Sequence, residues 1–135
     1  MSIKISDLSD NTLARIGLEA HAKAKKSKYH AVPVDWDGIR FDSTAEAAYY
    51  GQLRLRLKAG EIAHVDVHPV VSLPGGVRWK LDFLVWPADS SAPYYVDVKG
   101  VVTQDFRTKR KLFEGCHPAR LLVVKKAGKG WEELT

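Results

Sequence analysis

Two acids and a lysine carry the most chemistry in this 135-residue chain. Asp82 lies in WKLDFLVW, and Asp97 and Lys99 lie fifteen residues on in YYVDVKG. Both runs are strand-like. Side chains alternate faces along a strand, so Asp97 and Lys99 point one way while Val96 and Val98 point the other. Two carboxylates and an ammonium on one sheet face, flanked by apolar residues, are costly to bury as structure alone. They make sense with a divalent cation between the acids. Magnesium takes hard oxygen ligands, usually one or two carboxylates completed by phosphate and water. A metal held this way, with a lysine beside it, suits phosphodiester hydrolysis. The Asp-x-Lys triplet alone is a weak signal. Its context sharpens it: a pair of strands, Gly100 directly after the lysine, then a basic helix.

The elements that must position these residues follow from the chain's punctuation. Residues 9–26 read as a helix capped by Ser9 or Asp10, with a thin apolar side (Leu13, Ile16, Ala20). Gly17 weakens it by about 1 kcal/mol relative to alanine. Residues 1–30 are therefore read as a helical arm, and 31–135 as a single domain. Residues 32–36 and 39–41 flank Asp37-Gly38, a two-residue hairpin signal. Residues 43–59 form a helix stopped by Gly60. A strand over 62–73, interrupted at Pro69, reaches the turn Pro74-Gly75-Gly76. Strands over 77–86 and 94–99, a helix over 103–114 and a strand over 120–125 follow. Strand, helix, strand at this spacing implies a parallel pair. Residues 130–135 carry no pattern. The fold class expected is α/β, a mixed sheet flanked by helices, with an N-terminal helix and hairpin.

Glu46 is a third candidate acid. In Ser43-Thr44-Ala45-Glu46 it fits a capping box, reaching back to the Ser43 amide. It also shares a helical stripe with Tyr50, Leu53 and Leu57, the apolar stripe, where a carboxylate needs a partner. The two roles are compatible.

Composition points to a polyanionic partner. The net charge is +5. Between Lys99 and Lys126 there are eight basic and two acidic residues, whereas residues 31–98 carry six basic and nine acidic. Basic surface flanking an acidic centre is what a phosphate backbone needs. On the 103–114 helix, Arg107, Arg110 and Lys111 form a candidate phosphate-contacting stripe. Lys109 sits among apolar neighbours and either reaches the site or snorkels to solvent. The single cysteine, Cys116, excludes an intramolecular disulfide and a thiolate zinc site. No apolar run is long enough for a membrane span, and the N-terminus lacks a signal-peptide core, so a cytoplasmic protein is expected. His64 and His68 share a strand face but stand roughly 13 Å apart, too far for one metal. The tyrosines and tryptophans read as packing residues, with Trp36 kept open as a base-stacking side chain.

The Asp82, Asp97 and Lys99 arrangement resembles the PD-(D/E)xK nuclease superfamily, with Leu81 where that pattern has proline. The order FDSTAEAAYYGQL, GEI, HPVVSL, WKLDFLV, YYVDVKG, TQDFRTKRKLF is similar to small phage and prophage nucleases of that superfamily. It also resembles phage endonuclease I-type Holliday-junction resolvases and the catalytic subunit of certain cut-and-paste transposases. His68 departs from the glutamine expected before Pro69. The resemblance implies a restriction-endonuclease-like core and a Mg²⁺-dependent DNA endonuclease, with Mn²⁺ able to substitute. Asp82, Asp97, Glu46 and the Val98 carbonyl would be metal ligands, and Lys99 would act on the attacking water. Arg107, Lys109, Arg110 and Lys111 would bind DNA. Branched DNA, cut by a homodimer, is the substrate expected. A general nicking or restriction-like nuclease, and a non-catalytic DNA-binding protein on the same fold, stand as alternatives.

Overall fold

The computed structural model describes residues 32–135. The helical arm expected over residues 1–30 lies outside them. The chain divides into two compact units, one ending at Ala59 and the other running from Gly60 to Thr135.

In the first unit, β1 (Val34–Trp36) and β2 (Ile39–Phe41) form an antiparallel hairpin. Both turn residues are left-handed, Asp37 at φ 56° and Gly38 at φ 75°. This conformation matches the twist of the strands and is why Asp-Gly signals the turn. Helix α1 (Thr44–Lys58) follows, with Ser43 as N-cap. The Ser43 hydroxyl accepts from the Glu46 amide at 3.1 Å. Gly60, at φ 79°, supplies the left-handed residue after the helix. Tyr50 packs edge-on against Trp36 (5.3 Å between rings) and lies 5.0 Å from Phe41. Its hydroxyl donates to Asp37 at 2.8 Å, tying the helix to the hairpin turn. Burial, then this bond, pushes the phenol pKa up to about 12.

The second unit holds β3 (Ile62–Val67), β4 (Val70–Leu73), β5 (Val77–Lys80), β6 (Phe83–Pro87), β7 (Tyr94–Val98), α2 (Gln104–Cys116), β8 (Leu121–Ala127) and β9 (Gly130–Glu133). Five strands form one mixed sheet in the order β3-β6-β7-β8-β9, and β4 and β5 pair separately. The two ladders keep one register, from Val67 opposite Phe83 to Val70 opposite Lys80. Between them the His68 amide bonds the Asp82 carbonyl and the Leu81 amide bonds the Pro69 carbonyl, both at 2.9 Å. Residues 62–87 are thus one long hairpin with a kink. Its cause is visible at His68-Pro69: Pro69 has no amide to donate, and His68 takes φ 58°. The interruption expected at Pro69 is present. The facing strand, read as continuous over 77–86, is broken as well, at Leu81-Asp82.

β7 and β8 are parallel, Tyr95 opposite Leu121 through Val98 opposite Val124, as the strand, helix, strand order implied. α2 runs two residues beyond the expected Glu114, and the Thr103 hydroxyl caps it by accepting from the Phe106 amide at 3.1 Å. β9 had no sequence signature; Gly128, at φ 57°, turns the chain into it. Val71, Leu73, Trp79 and Leu81 from the kinked hairpin form one core with Phe106 and Phe113 of α2 and Leu121 and Val123 of β8. α2 is thereby fixed over the C-terminal end of β7, where the candidate residues cluster. Among the described residues no helix is long and apolar enough to cross a membrane.

Candidate active site

Asp82 and Asp97 meet where β6 begins and β7 ends. Extending the Phe83–Val96 pairing by one residue sets Asp82 across from Asp97. Directly opposed residues hold their Cβ atoms about 4.5–5.5 Å apart. Asp97 is 2% exposed. Its Oδ2 lies 3.0 Å from the Lys99 ammonium, an ion pair poorly aligned for a hydrogen bond. Lys99 Nζ also sits 4.8 Å from the centre of the Phe106 ring. The α2 aromatic and the β7 carboxylate together hold the lysine over the site. The Lys99 amide donates to the Val124 carbonyl at 2.8 Å, so the end of β7 stays on β8.

Asp82 Oδ2 accepts from the Val98 amide at 2.7 Å. In an antiparallel ladder the N–H and C=O of a residue point to the same side. The Val98 carbonyl is therefore directed to the Asp82 side of β7. Two carboxylates and one backbone carbonyl, all hard oxygens, converge on the same strand ends. Among the described residues no group of three His, Cys, Asp or Glu side chains is gathered as a metal cluster. Two carboxylates and a carbonyl still fit magnesium, which fills its remaining positions with water and phosphate oxygens. They do not fit a structural zinc, which takes four nitrogen or sulfur ligands.

Glu46 belongs to the first unit and is 3% exposed, as its place on the apolar stripe implied. Its Oε2 accepts from the Asp42 amide at 3.2 Å, and its own amide donates to Ser43. This is the reciprocal cap the sequence suggested, displaced by one residue from the Ser43 amide.

The four cations of α2 fall into two groups. Arg107 and Lys111 are exposed. Arg110 Nε lies 3.0 Å from Glu114, and its Nη2 donates to the Leu134 carbonyl at 3.2 Å, tying the helix to the chain after β9. Lys109 pairs with Asp105 one turn earlier, at 3.1 Å. Between α2 and the C-terminal segment runs a groove of about 1000 Å³ that collects Arg107, Arg110 and Lys111 with Glu114, Glu132 and Glu133. Its charge is mixed.

Three residues stand out on β3 and β6: Asp66, which the sequence did not single out, His64, set aside there as a metal ligand, and Trp86, read there as packing. Trp36, kept open as a stacking side chain, is 3% exposed, whereas Trp86 is 41% exposed. Trp86 faces His64 across the strand pair. The Trp86 indole donates to Asp66 Oδ2 at 3.1 Å, and His64 Nε2 lies 2.7 Å from Asp66 Oδ1. These bonds, the histidine's first, hold the Asp66 carboxyl below its ordinary range. The available signal was the alternation His64, Asp66 on one strand, which marks a shared face.

An α/β protein with an acid, acid, lysine cluster at adjoining strand ends is what the fold and site define. The chain belongs to the family described as "Protein of unknown function (DUF1064)", whose model matches residues 26–130. No curated protein and no solved structure matches it.

Proposed function

We propose that this protein is a Mg²⁺-dependent DNA endonuclease on a restriction-endonuclease-like core, with Mn²⁺ able to substitute. One observation carries the reading: the Asp97 carboxylate is buried with the Lys99 ammonium 3.0 Å away, and the next step of the β6–β7 register brings Asp82 across from it. Opposed carboxylates repel, and a chain that needed only stability would replace one of them. A protein that only binds DNA has no use for them either, since they repel phosphate.

Asp82, Asp97 and the Val98 carbonyl would hold the metal, which when bound supplies an acidified water and positive charge for the phosphoryl oxygens. The bond from the Val98 amide fixes the Asp82 carboxylate before substrate arrives. Lys99, steadied by Asp97 and Phe106, orients the attacking water and offsets charge building on the phosphate. Arg107 and Lys111, on the exposed side of α2, hold neighbouring phosphates. The sequence resemblance adds the products, a 5′-phosphate and a 3′-hydroxyl, and the substrate, branched DNA. Two symmetric nicks in a junction require two sites, hence a homodimer.

The test is incubation with labelled four-way junction, nicked, single-stranded and linear duplex DNA, in Mg²⁺ or Mn²⁺. Metal-dependent cleavage, highest on the junction and lost in Asp97→Ala, is expected. No cleavage of any substrate with either metal refutes the proposal.

A further inference from the structure

Alternate residues of a strand share a face, so the face of β6 that carries Leu84 and Trp86 leads back to Asp82, the residue directly before the strand. Four residues at strand rise put Trp86 ~13 Å from Asp82. That is about the length of four stacked nucleotides, and fewer when the strand is stretched. Trp86 and His64 stand side by side there, opposed in register, 41% and 62% exposed. A tryptophan left at the surface is ordinary when its ring can turn freely. This one is tethered: its indole N–H donates to Asp66 Oδ2, and the neighbouring imidazole lies against Oδ1 of the same carboxylate. A single acid on an edge strand thus fixes two aromatic rings at the surface. Its charge is met by two N–H groups, which reduces its repulsion of a passing phosphate.

Rings fixed in this way lose little further conformational entropy when a planar ligand stacks on them. We infer that Trp86 and His64, set by Asp66, form a stacking platform for an unpaired nucleobase on the strand that the Asp82–Asp97 site cuts. The inference rests on the nuclease reading for the identity of that strand. It adds that the substrate carries unpaired bases a short distance from the cut. A paired base offers its faces to its own neighbours, so perfect duplex gains nothing from the platform. A frayed end, a flap or a junction arm that opens does. Stacking tolerates every base because each has a π-face, so no sequence preference comes with it.

The experiment measures binding in Ca²⁺, so that it does not depend on cleavage. The probes are fluorescent dT20, its ribose counterpart rU20, and a 20-base-pair duplex, against the whole chain. Trp86→Ala should weaken dT20 binding by about five- to a hundredfold, the range for loss of one base–aromatic stack. Duplex binding should be unchanged, and Trp86→Phe should restore most of the loss. Asp66→Ala, which keeps both rings but frees them, should show a smaller loss. Equal weakening of dT20 and rU20 identifies the base, and not the sugar, as the ligand. Wild-type-like dT20 binding by Trp86→Ala, or no dT20 binding by the wild type, overturns the inference. A wild type that binds dT20 through Trp86 yet cuts nothing in Mg²⁺ overturns the nuclease reading and leaves the platform standing.

Discussion

Asp82→Asn separates a metal-binding acid from a structural one, because asparagine keeps the shape and removes the charge. Its carbonyl can still accept from the Val98 amide, now 2.7 Å from the carboxylate. A neutral acceptor weakens that bond by about 1 kcal/mol. Against this stands relief of repulsion. Two unit charges ~5 Å apart, at an effective dielectric constant of about 20, repel by about 3 kcal/mol. At the same dielectric constant the 3.0 Å pair between Lys99 and Asp97 attracts by ~5 kcal/mol, which offsets that repulsion. Solvent at Asp82 and Lys99 shrinks both figures. The metal-free variant should therefore melt at or slightly above the wild-type temperature. Metal reverses the order. Ca²⁺ at a hundred times its dissociation constant stabilises the binding-competent protein by about 2.7 kcal/mol. For a chain of this size that is a rise of roughly 10 °C. The assay is thermal melting in EDTA and in Ca²⁺, with cleavage in Mg²⁺ alongside. Wild type should gain the full shift; Asp82→Asn should gain almost none and cut nothing. A variant that keeps the Ca²⁺ shift shows that Asp82 does not bind a metal beside Asp97.

Glu46→Gln should leave the melting temperature unchanged, since glutamine also accepts from the Asp42 amide. Full activity in this variant limits Glu46 to the cap, and loss of most activity adds it to the acids that cleavage needs. On α2, neutralising Arg107 or Lys111 should weaken DNA binding alike for all sequences and flatten its log-log salt dependence by about one unit. Arg110→Gln should lower the melting temperature more than the salt slope, because it breaks the contacts to Glu114 and Leu134; a sequence-selective loss from any of the three would point to base readout instead. The Tyr50 pKa, raised to about 12 from 10.0, predicts alkaline behaviour. A group whose folded pKa is raised contributes its full stability below the unfolded value and loses it as pH climbs through the folded one. The advantage of wild type over Tyr50→Phe, roughly 1–2 kcal/mol at neutral pH for a bond to a carboxylate, should shrink between pH 10 and 12; a constant difference across that window would contradict the assignment.

What could be read from the sequence was what local chemistry decides. Asp37-Gly38 specifies its turn through backbone conformation alone, and Ser43 caps a helix whose first amides are its own neighbours. The parallel β7–β8 pair follows from connection length. Features set by distant parts of the chain were hidden. Four residues of β9 acquire their strand only by lying on β8. Trp36 and Trp86 look alike along the chain, since each follows an acidic or apolar strand residue. Which one is covered depends on Tyr50 in the first case and on an edge strand in the second. Arg110 looked like its neighbours Arg107 and Lys111 until the chain after β9 came to meet it.

The break at Leu81-Asp82 is the most instructive of these, because the side chain that ends the β6–β7 ladder is also a site residue. Residues 77–87 have the composition of one strand, and their register with residues 62–73 never slips across the break. Nothing local marks a stop. The stop is made by chemistry between strands. In the β6–β7 ladder the next amide of β7 to be received belongs to Val98, and the group that receives it is the Asp82 side chain. A carboxylate has taken the position of a backbone carbonyl. That substitution ends the ladder at Phe83 and leaves the Val98 carbonyl on the Asp82 side of β7. Across the strand, Asp97 stays buried beside Lys99. An acid at residue 82 thus both ends the ladder and adds an oxygen at the strand ends beside Asp97. Isosteric Asp82→Asn keeps an acceptor for the Val98 amide while removing the charge, whereas Asp82→Leu ends that bond. For that reason the two variants should differ in stability while agreeing in the loss of cleavage, and equal melting temperatures would show that the bond to Val98 does not hold the strand ends.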